Sequence, residues 1–271
     1  MKKTMFRLIL ATTFVMFMFS SVFGAEFPLR EKYPNVKPIT LEELSANYDS
    51  TMIIDVRSQE EFDVIHVKKA QNIPVTKGTF LADLEKSRAK DGSAKIAFYC
   101  NGHTCAKSYK AAEIAGDAGF KNIYCFDAGI FEWTVAHPEK SVLLGKSPVD
   151  SAKLISKDAL KAKMIGWAAF AAQAASADAL VIDLRDPFQR AKDATLDQNK
   201  NVELKGIRNI PMDRLTKLLA KGEFKDKQLL IFDAVGKQVE WLQYYLEDAG
   251  YTNYAFLDKG VLAAVEAGAA K

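Results

Sequence analysis

The sequence predicts an α/β protein built twice over, as two tandem domains that are each a mainly parallel sheet flanked by helices. Three observations carry that prediction. The chain repeats itself: Ile39–Leu44 recurs as Ile155–Leu160, Met52–Arg57 as Leu180–Arg185, and Asn72–Pro74 as Asn209–Pro211. Ile96–Tyr99 then recurs as Leu229–Phe232, Ala118–Asn122 as Ala249–Asn253, and Asp127–Gly129 as Asp258–Gly260. Six landmarks in one order are the mark of a duplicated unit. Continuous apolar runs such as Ala179–Ile182 and Leu229–Phe232 read as strands buried on both faces, and their alternation with helical patterns calls for parallel sheets. Finally, 271 residues of which 49% are apolar are enough for two ordinary cores.

The first element is a leader. Lys2, Lys3 and Arg7 precede an apolar run, Leu8–Phe19, and a zone of small residues around Ser20, Gly24 and Ala25, the order of a secretory signal peptide. The run is shorter than the about 20 residues a membrane-spanning helix takes. Residues 1–24 are therefore expected to be a removed signal peptide rather than a retained anchor, sending the protein to the periplasm or otherwise out of the cytoplasm. The cleavage zone contains no cysteine, so it offers no acylation site. Of 37 basic residues against 34 acidic ones, three lie in the leader and the remainder balance. A neutral chain with interspersed charges carries no footprint for nucleic acid or an anionic membrane. A small molecule or a protein partner is expected instead.

In each repeat a hydroxyl residue, Thr40 or Ser156, stands before the opening helix as its N-cap. His-Pro and Ser-Pro dipeptides between His137 and Pro148 break the periodicity. The expected units are thus 25–148 and 149–271. The second has a longer opening, rich in alanine from Trp167 to Ala177, while the first has a loop after Cys100 that is two residues longer than its counterpart.

Three cysteines, Cys100, Cys105 and Cys125, leave an odd thiol in a compartment that oxidises thiols, so a reactive cysteine has to be considered. Cys100 ends the strand Phe98-Tyr99-Cys100, and the helix resumes around Ser108. Between them Asn101, Gly102, His103, Thr104, Cys105, Ala106 and Lys107 form a short loop leading into a helix N-terminus, where ligands bind in α/β sheets and where N–H groups and the helix dipole favour a thiolate or an oxyanion. Position alone leaves two readings open, a reactive thiolate or an inert buried strand end.

Asp55-Val56-Arg57, Glu61-Phe62, His66-Val67, Ala70–Pro74, Phe98-Tyr99-Cys100, Gly119-Phe120 and Gly129–Trp133 resemble, in order, the landmarks of the rhodanese superfamily. The resemblance spans residues 36–138 and again about 154–262, so the fold it implies is two tandem rhodanese-like domains. It also implies a thiosulfate sulfurtransferase-like enzyme in which Cys100 takes up sulfane sulfur as a persulfide and passes it to a thiol or other thiophilic acceptor. Residues 101–107 would cradle the sulfur, with N–H donors and the positive charge of Lys107. Neither cofactor nor metal is implied, and the cysteines and histidines lack metal-ligand spacing.

The chain departs from the family at several points. Ile65 and Lys69 stand where members usually have glycine, and the loop has no arginine. Its length resembles relatives that accept larger tetrahedral anions, which leaves open a thiol redox or chalcogen-oxyanion binding protein with a redox protein partner. Phosphatase members need an arginine where this chain has Ala106, so that activity is disfavoured. In the second half Asp233 takes the place of Cys100 and Ala264 that of Trp133. A carboxylate cannot form a persulfide, so this half is expected to be a non-catalytic partner packed on the first.

Cys105 is expected to be either a resolving thiol or a packed loop residue. In an oxidising compartment the first reading predicts a Cys100–Cys105 disulfide. Cys125 is expected in the core. His103 is a candidate proton carrier, whereas His66 is read as structural. Asp55 and Arg57 are expected to form a buried pair, since Asp183 and Arg185 persist in the half without the cysteine, and Trp133 is expected to cap the first core.

Overall fold

A computed structural model describes residues 27–88, 95–191 and 196–271. The expected leader, residues 1–24, lies outside the described residues. The first half contains α1 (Leu41–Ala46), β1 (Thr51–Asp55), α2 (Gln59–Val64), β2 (Ile65–Val67), β3 (Gln71–Asn72), α3 (Phe80–Ser87), β4 (Lys95–Tyr99), α4 (Lys107–Asp117), β5 (Ile123–Phe126), α5 (Gly129–Ala136) and β6 (Ser141–Leu143). The second contains α6 (Lys157–Lys161), β7 (Met164–Ile165), α7 (Trp167–Ala174), β8 (Ala179–Asp183), α8 (Pro187–Ala191), β9 (Arg208–Asn209), α9 (Met212–Ala220), β10 (Gln228–Phe232), α10 (Gln238–Asp248), β11 (Tyr254–Leu257) and α11 (Val261–Glu266).

Each half builds a parallel sheet, in the order β3-β1-β4-β5 and β9-β8-β10-β11-β7. The two orders are the same. A one-residue bridge from Pro38 to Cys125 occupies the edge that β7 occupies in the second sheet. A separate antiparallel pair, β2 with β6, ties the segment after α5 back to the first half. Every central strand is buried along nearly its whole length, as strands covered by helices on both faces must be.

The helix starts follow the local chemistry. Thr40 Oγ1 accepts the Glu43 N–H while the Glu43 carboxylate accepts the Thr40 N–H, and Ser58 with Glu61 repeats this capping box at α2. Ser156 caps α6 through the Ala159 N–H.

One expected correspondence needs correction. Ile39–Leu44 and Ile155–Leu160 are alike in sequence, but α7, not α6, takes the structural place of α1. Lys37 and Lys163 each accept a hydrogen bond from the outer strand, from the N–H of Cys125 and of Phe256 respectively. The next helix then buries Leu44 in one half and Phe170 in the other, each on the face that carries the start of α5 or α11. The alanine-rich opening is this helix, and α6 precedes it as an addition.

The two halves pack asymmetrically. One apolar cluster runs from Leu44, Val64, Tyr99 and Trp133 of the first half through to Leu215, Val239 and Leu242 of the second. Trp241 of α10 stacks on Phe131 of α5, ring centroids 6.2 Å apart, and Tyr244 accepts the Ile155 N–H. Trp133 does not cap the first core but lies wholly inside it, between Tyr48 and Phe126.

Candidate active site

Cys100 stands at the carboxyl end of β4, 1% exposed, in the position where a strand hands its chain to a helix. Its carbonyl accepts the N–H of Ile130, which fixes the start of α5 against the loop. The approach is close: Gly129 has φ +76°, and a Cβ there would overlap the backbone of Asn101 and Gly102. Cys105 lies in the same loop, joined to Cys100 by a disulfide with Cα atoms 6.3 Å apart, within the roughly 4.4–6.8 Å range of bonded cysteines. The structure thus brings together the two cysteines that the sequence places in one loop.

A buried ionic network holds the loop from below. Arg57 is fully buried and grips Asp55 through Nε and Nη2, donates Nη2 to the Ile65 carbonyl, and donates Nη1 to Asn101 Oδ1 at 3.0 Å. Asn101 in turn donates Nδ2 to Glu61 Oε1 at 2.9 Å. The expected Asp55–Arg57 pair is present, and it also reaches the residue after the cysteine. Burial pulls the Arg57 guanidinium down, but the Asp55 charge more than offsets it and the arginine stays cationic. Burial pushes the Glu61 carboxyl up. The Asn101 amide, the Ser58 N–H, Lys107 and Arg57 outweigh it, leaving Glu61 below the usual carboxylate range.

The ammonium of Lys107, expected to lend positive charge to the cradle, is paired with a carboxylate: Nζ sits 3.0 Å from Glu61 Oε2. The N–H of Cys105 is likewise turned inward, to the Gly102 carbonyl, while Thr104 is exposed and Ala106 packs near Tyr33 and Tyr109. His103 pairs with Glu132 and stacks on Phe27, centroids 4.2 Å apart. Phe27 belongs to a segment anchored by Arg30, which makes two hydrogen bonds to Asp127. His66 bonds the Phe62 carbonyl and stacks on its ring, an anchoring arrangement. Cys125 is fully buried in β5, and burial pushes its thiol up to about 12.

Sequence reasoning missed Trp241, and it named Glu61 only within the Glu61-Phe62 landmark, without a role in the loop. Glu61 had one readable sign, its place as the fourth residue of Ser58-x-x-Glu61. Trp241 had none, since its ring comes within 5.6 Å of the Arg57 guanidinium only through the packing of the halves.

The counterpart in the second half shows what such a loop accommodates. Asp233 follows β10 as Cys100 follows β4, and its carbonyl accepts the Val261 N–H as that of Cys100 accepts the Ile130 N–H. The Asp233 carboxylate accepts four backbone N–H groups, those of Val235 and Gly236 on Oδ1 and those of Gln238 and Val239 on Oδ2. These donors include the first turn of α10, so the loop is an anion nest filled by the chain's own carboxylate. A cavity of about 350 Å³ lies elsewhere, between the segment Leu143–Ile155 and α10. No group of residues able to hold a metal ion occurs among the described residues.

The family model described as the rhodanese-like domain matches residues 40–136. The chain belongs to the rhodanese superfamily. Among similar proteins, the uncharacterized protein YqhL of Bacillus subtilis is 30% identical over 99 residues, which cover 36% of this chain and 72% of YqhL. The HTH-type transcriptional regulator Rv0324 of Mycobacterium tuberculosis is 36% identical over 84 residues, covering 31% of this chain and 34% of that protein. A thiosulfate sulfurtransferase from Pseudomonas aeruginosa superposes on 85% of this chain and 44% of its own, at 20% identity and a TM-score of 0.37. The rhodanese-like chain therefore spans about a third of Rv0324 and under half of the Pseudomonas protein.

Proposed function

We propose that this rhodanese-like protein is an exported sulfurtransferase that carries sulfane sulfur on Cys100. The observation that supports this most directly is the nest around Asp233. In one half, backbone N–H groups at the strand-to-helix turn converge on an anionic side chain. In the other, the same turn presents a sulfur atom at the equivalent position. We read the loop after β4 as able to offer Cys100 the same kind of N–H donors and helix N-terminus, which would stabilise a thiolate and then the terminal sulfur of a persulfide.

The chemistry follows in two displacements. The Cys100 thiolate attacks the outer sulfur of thiosulfate, forming an S–S bond as the bond to sulfite breaks and sulfite leaves with the electron pair. A thiophilic acceptor then attacks the terminal sulfur of the persulfide, and the Cys100 thiolate departs as leaving group. The starting thiol requires that the Cys100–Cys105 disulfide first be opened by a thiol reductant. Asp55, Arg57, Asn101 and Glu61 are positioning residues that fix the loop's entry. The periplasm is the compartment the leader supports.

The test is thiocyanate formation from thiosulfate and cyanide by reduced protein lacking residues 1–24. Cys100→Ser is expected to lower turnover to background while leaving the fold intact, because serine replaces the sulfur with little change in volume. A Cys100→Ser protein that still forms thiocyanate, or a Cys125→Ser protein that does not, would overturn the assignment. A second reading, a thiol redox or chalcogen-oxyanion binding protein, is favoured by the disulfide and the longer loop. It predicts no thiocyanate and no sulfur adduct with any sulfane donor.

A further inference from the structure

The loop holds more thiol chemistry than transfer to an external acceptor requires. Transfer uses one sulfur atom, and this loop has two within bonding distance of each other. Cys105 lies at the end of the tight turn closed by its own N–H to the Gly102 carbonyl, which folds its side chain back onto the strand end where Cys100 sits. The third cysteine takes no part, being fully buried in β5.

We infer that Cys105 resolves the Cys100 persulfide, so that the protein is also a sulfide-releasing, dithiol-dependent thiosulfate reductase. The inference rests on the proposed acceptance of sulfur by Cys100. In the resolving step the Cys105 thiolate attacks Sγ of Cys100, the Sγ–Sγ bond forms, the bond to the terminal sulfur breaks, and hydrosulfide leaves with the electron pair. The two cysteines are thereby oxidised and the sulfane sulfur is reduced. An external dithiol then exchanges with the disulfide, becomes oxidised itself, and returns both thiols. The sum is thiosulfate plus a dithiol giving sulfite, hydrosulfide, a proton and the oxidised dithiol.

Two features favour this route over waiting for a second substrate. An attacking group a few residues away is present at an effective concentration of the order of millimolar or higher, without any encounter. The product, moreover, is the bond the structure contains, at a Cα separation that needs no movement of the backbone. The partner class that follows is a protein or small molecule with two vicinal thiols, since a monothiol would stop at a mixed disulfide until a second arrived.

A single-turnover experiment separates this step from sulfur acceptance. Protein is reduced, freed of reductant and given one equivalent of thiosulfate, after which sulfite, sulfide and intact mass are measured. Wild type is expected to release sulfite and sulfide together, to end two hydrogens lighter than the reduced chain, and to show the 100–105 cross-link on non-reducing peptide mapping. Cys105→Ser is expected to release sulfite alone and to retain one sulfur atom on Cys100. Sulfite without sulfide from wild type, with the sulfur left on Cys100, overturns the resolving role but leaves acceptance standing. Absence of sulfite from both proteins overturns acceptance, and the resolving step with it. The wild-type arm decides the question even if Cys105→Ser does not fold.

Discussion

The loops that follow β4 and β10 are the same turn put to two uses. One ends in a side chain that reaches into its own ring of N–H groups and fills it, while the other ends in a sulfur atom and is two residues longer. Each has a glycine at the helix facing it, Gly129 or Gly260, because a Cβ there would strike the opposite backbone. The difference teaches that the residue directly after the strand decides what such a turn holds. The second half supplies the occupant covalently as Asp233, whereas the first carries at the equivalent position Cys100, bonded to Cys105.

The comparison breaks most visibly at Asp233. Replacing it with glycine removes the occupant from four donors, and hydrogen bonds to a charged group are each worth about 1.5–3 kcal/mol. The expected result is a stability loss of at least about 3 kcal/mol in chemical denaturation. Millimolar sulfate or thiosulfate should then raise the melting temperature of Asp233→Gly, by ligand linkage, and leave wild type unmoved. Equal responses of the two proteins to the anion would mean that the loop is not a nest.

Next in size is the close approach of loop and helix. Gly129→Ala introduces both a left-handed alanine and a backbone overlap, for an expected cost of about 2–4 kcal/mol. Because the overlap is with Asn101 and Gly102, the transfer rate should fall as well. Gly260→Ala should cost as much stability while leaving Cys100 chemistry alone in whatever fraction remains folded. A Gly129→Ala protein of full activity would separate the loop's position from its function.

The Glu61 network is a smaller effect with a pH signature. Its depressed carboxyl contributes stability that is complete above the ordinary carboxylate range near 4.3 and is lost as pH falls through the lower folded-state value. Glu61→Gln is expected to destabilise by about 1–3 kcal/mol at neutral pH and by progressively less in acid, as measured by urea midpoints at a series of pH values. A pH-independent difference would assign the effect to packing. Smallest of all, Lys146→Ala removes an exposed bridge to Asp248 and should change stability by under about 1 kcal/mol, even though it crosses between the halves.

The parts of the molecule readable in the sequence are those set by short-range chemistry. Strands β1, β4, β8 and β10 announced themselves as apolar runs, and Thr40 and Ser156 as caps. The Asp-x-Arg pairs and the longer first loop were likewise present in the spacing. The pairing of Ile39–Leu44 with Ile155–Leu160 misled for the same reason: capped helix starts look alike wherever they occur, and only the strand-edge hydrogen bonds of Lys37 and Lys163 show that α7 is the counterpart of α1. The partner of Lys107 could not be read because Glu61 is distant in sequence and is brought to it by α2. The Asp233 nest was invisible because the residues of a loop name its donors but not their convergence.

Trp241 adds a matter of timing. α10 follows the whole of the first half in the chain, so the first half cannot reach its final packing until synthesis has passed residue 241. Until Trp241 arrives, Phe131 lacks its stacking partner and the outer face of Arg57 lacks its aromatic cover. The half with the cysteines is thus completed late, by a helix from the half that carries no thiol, and a chain ending before residue 241 would leave its loop on an unfinished support.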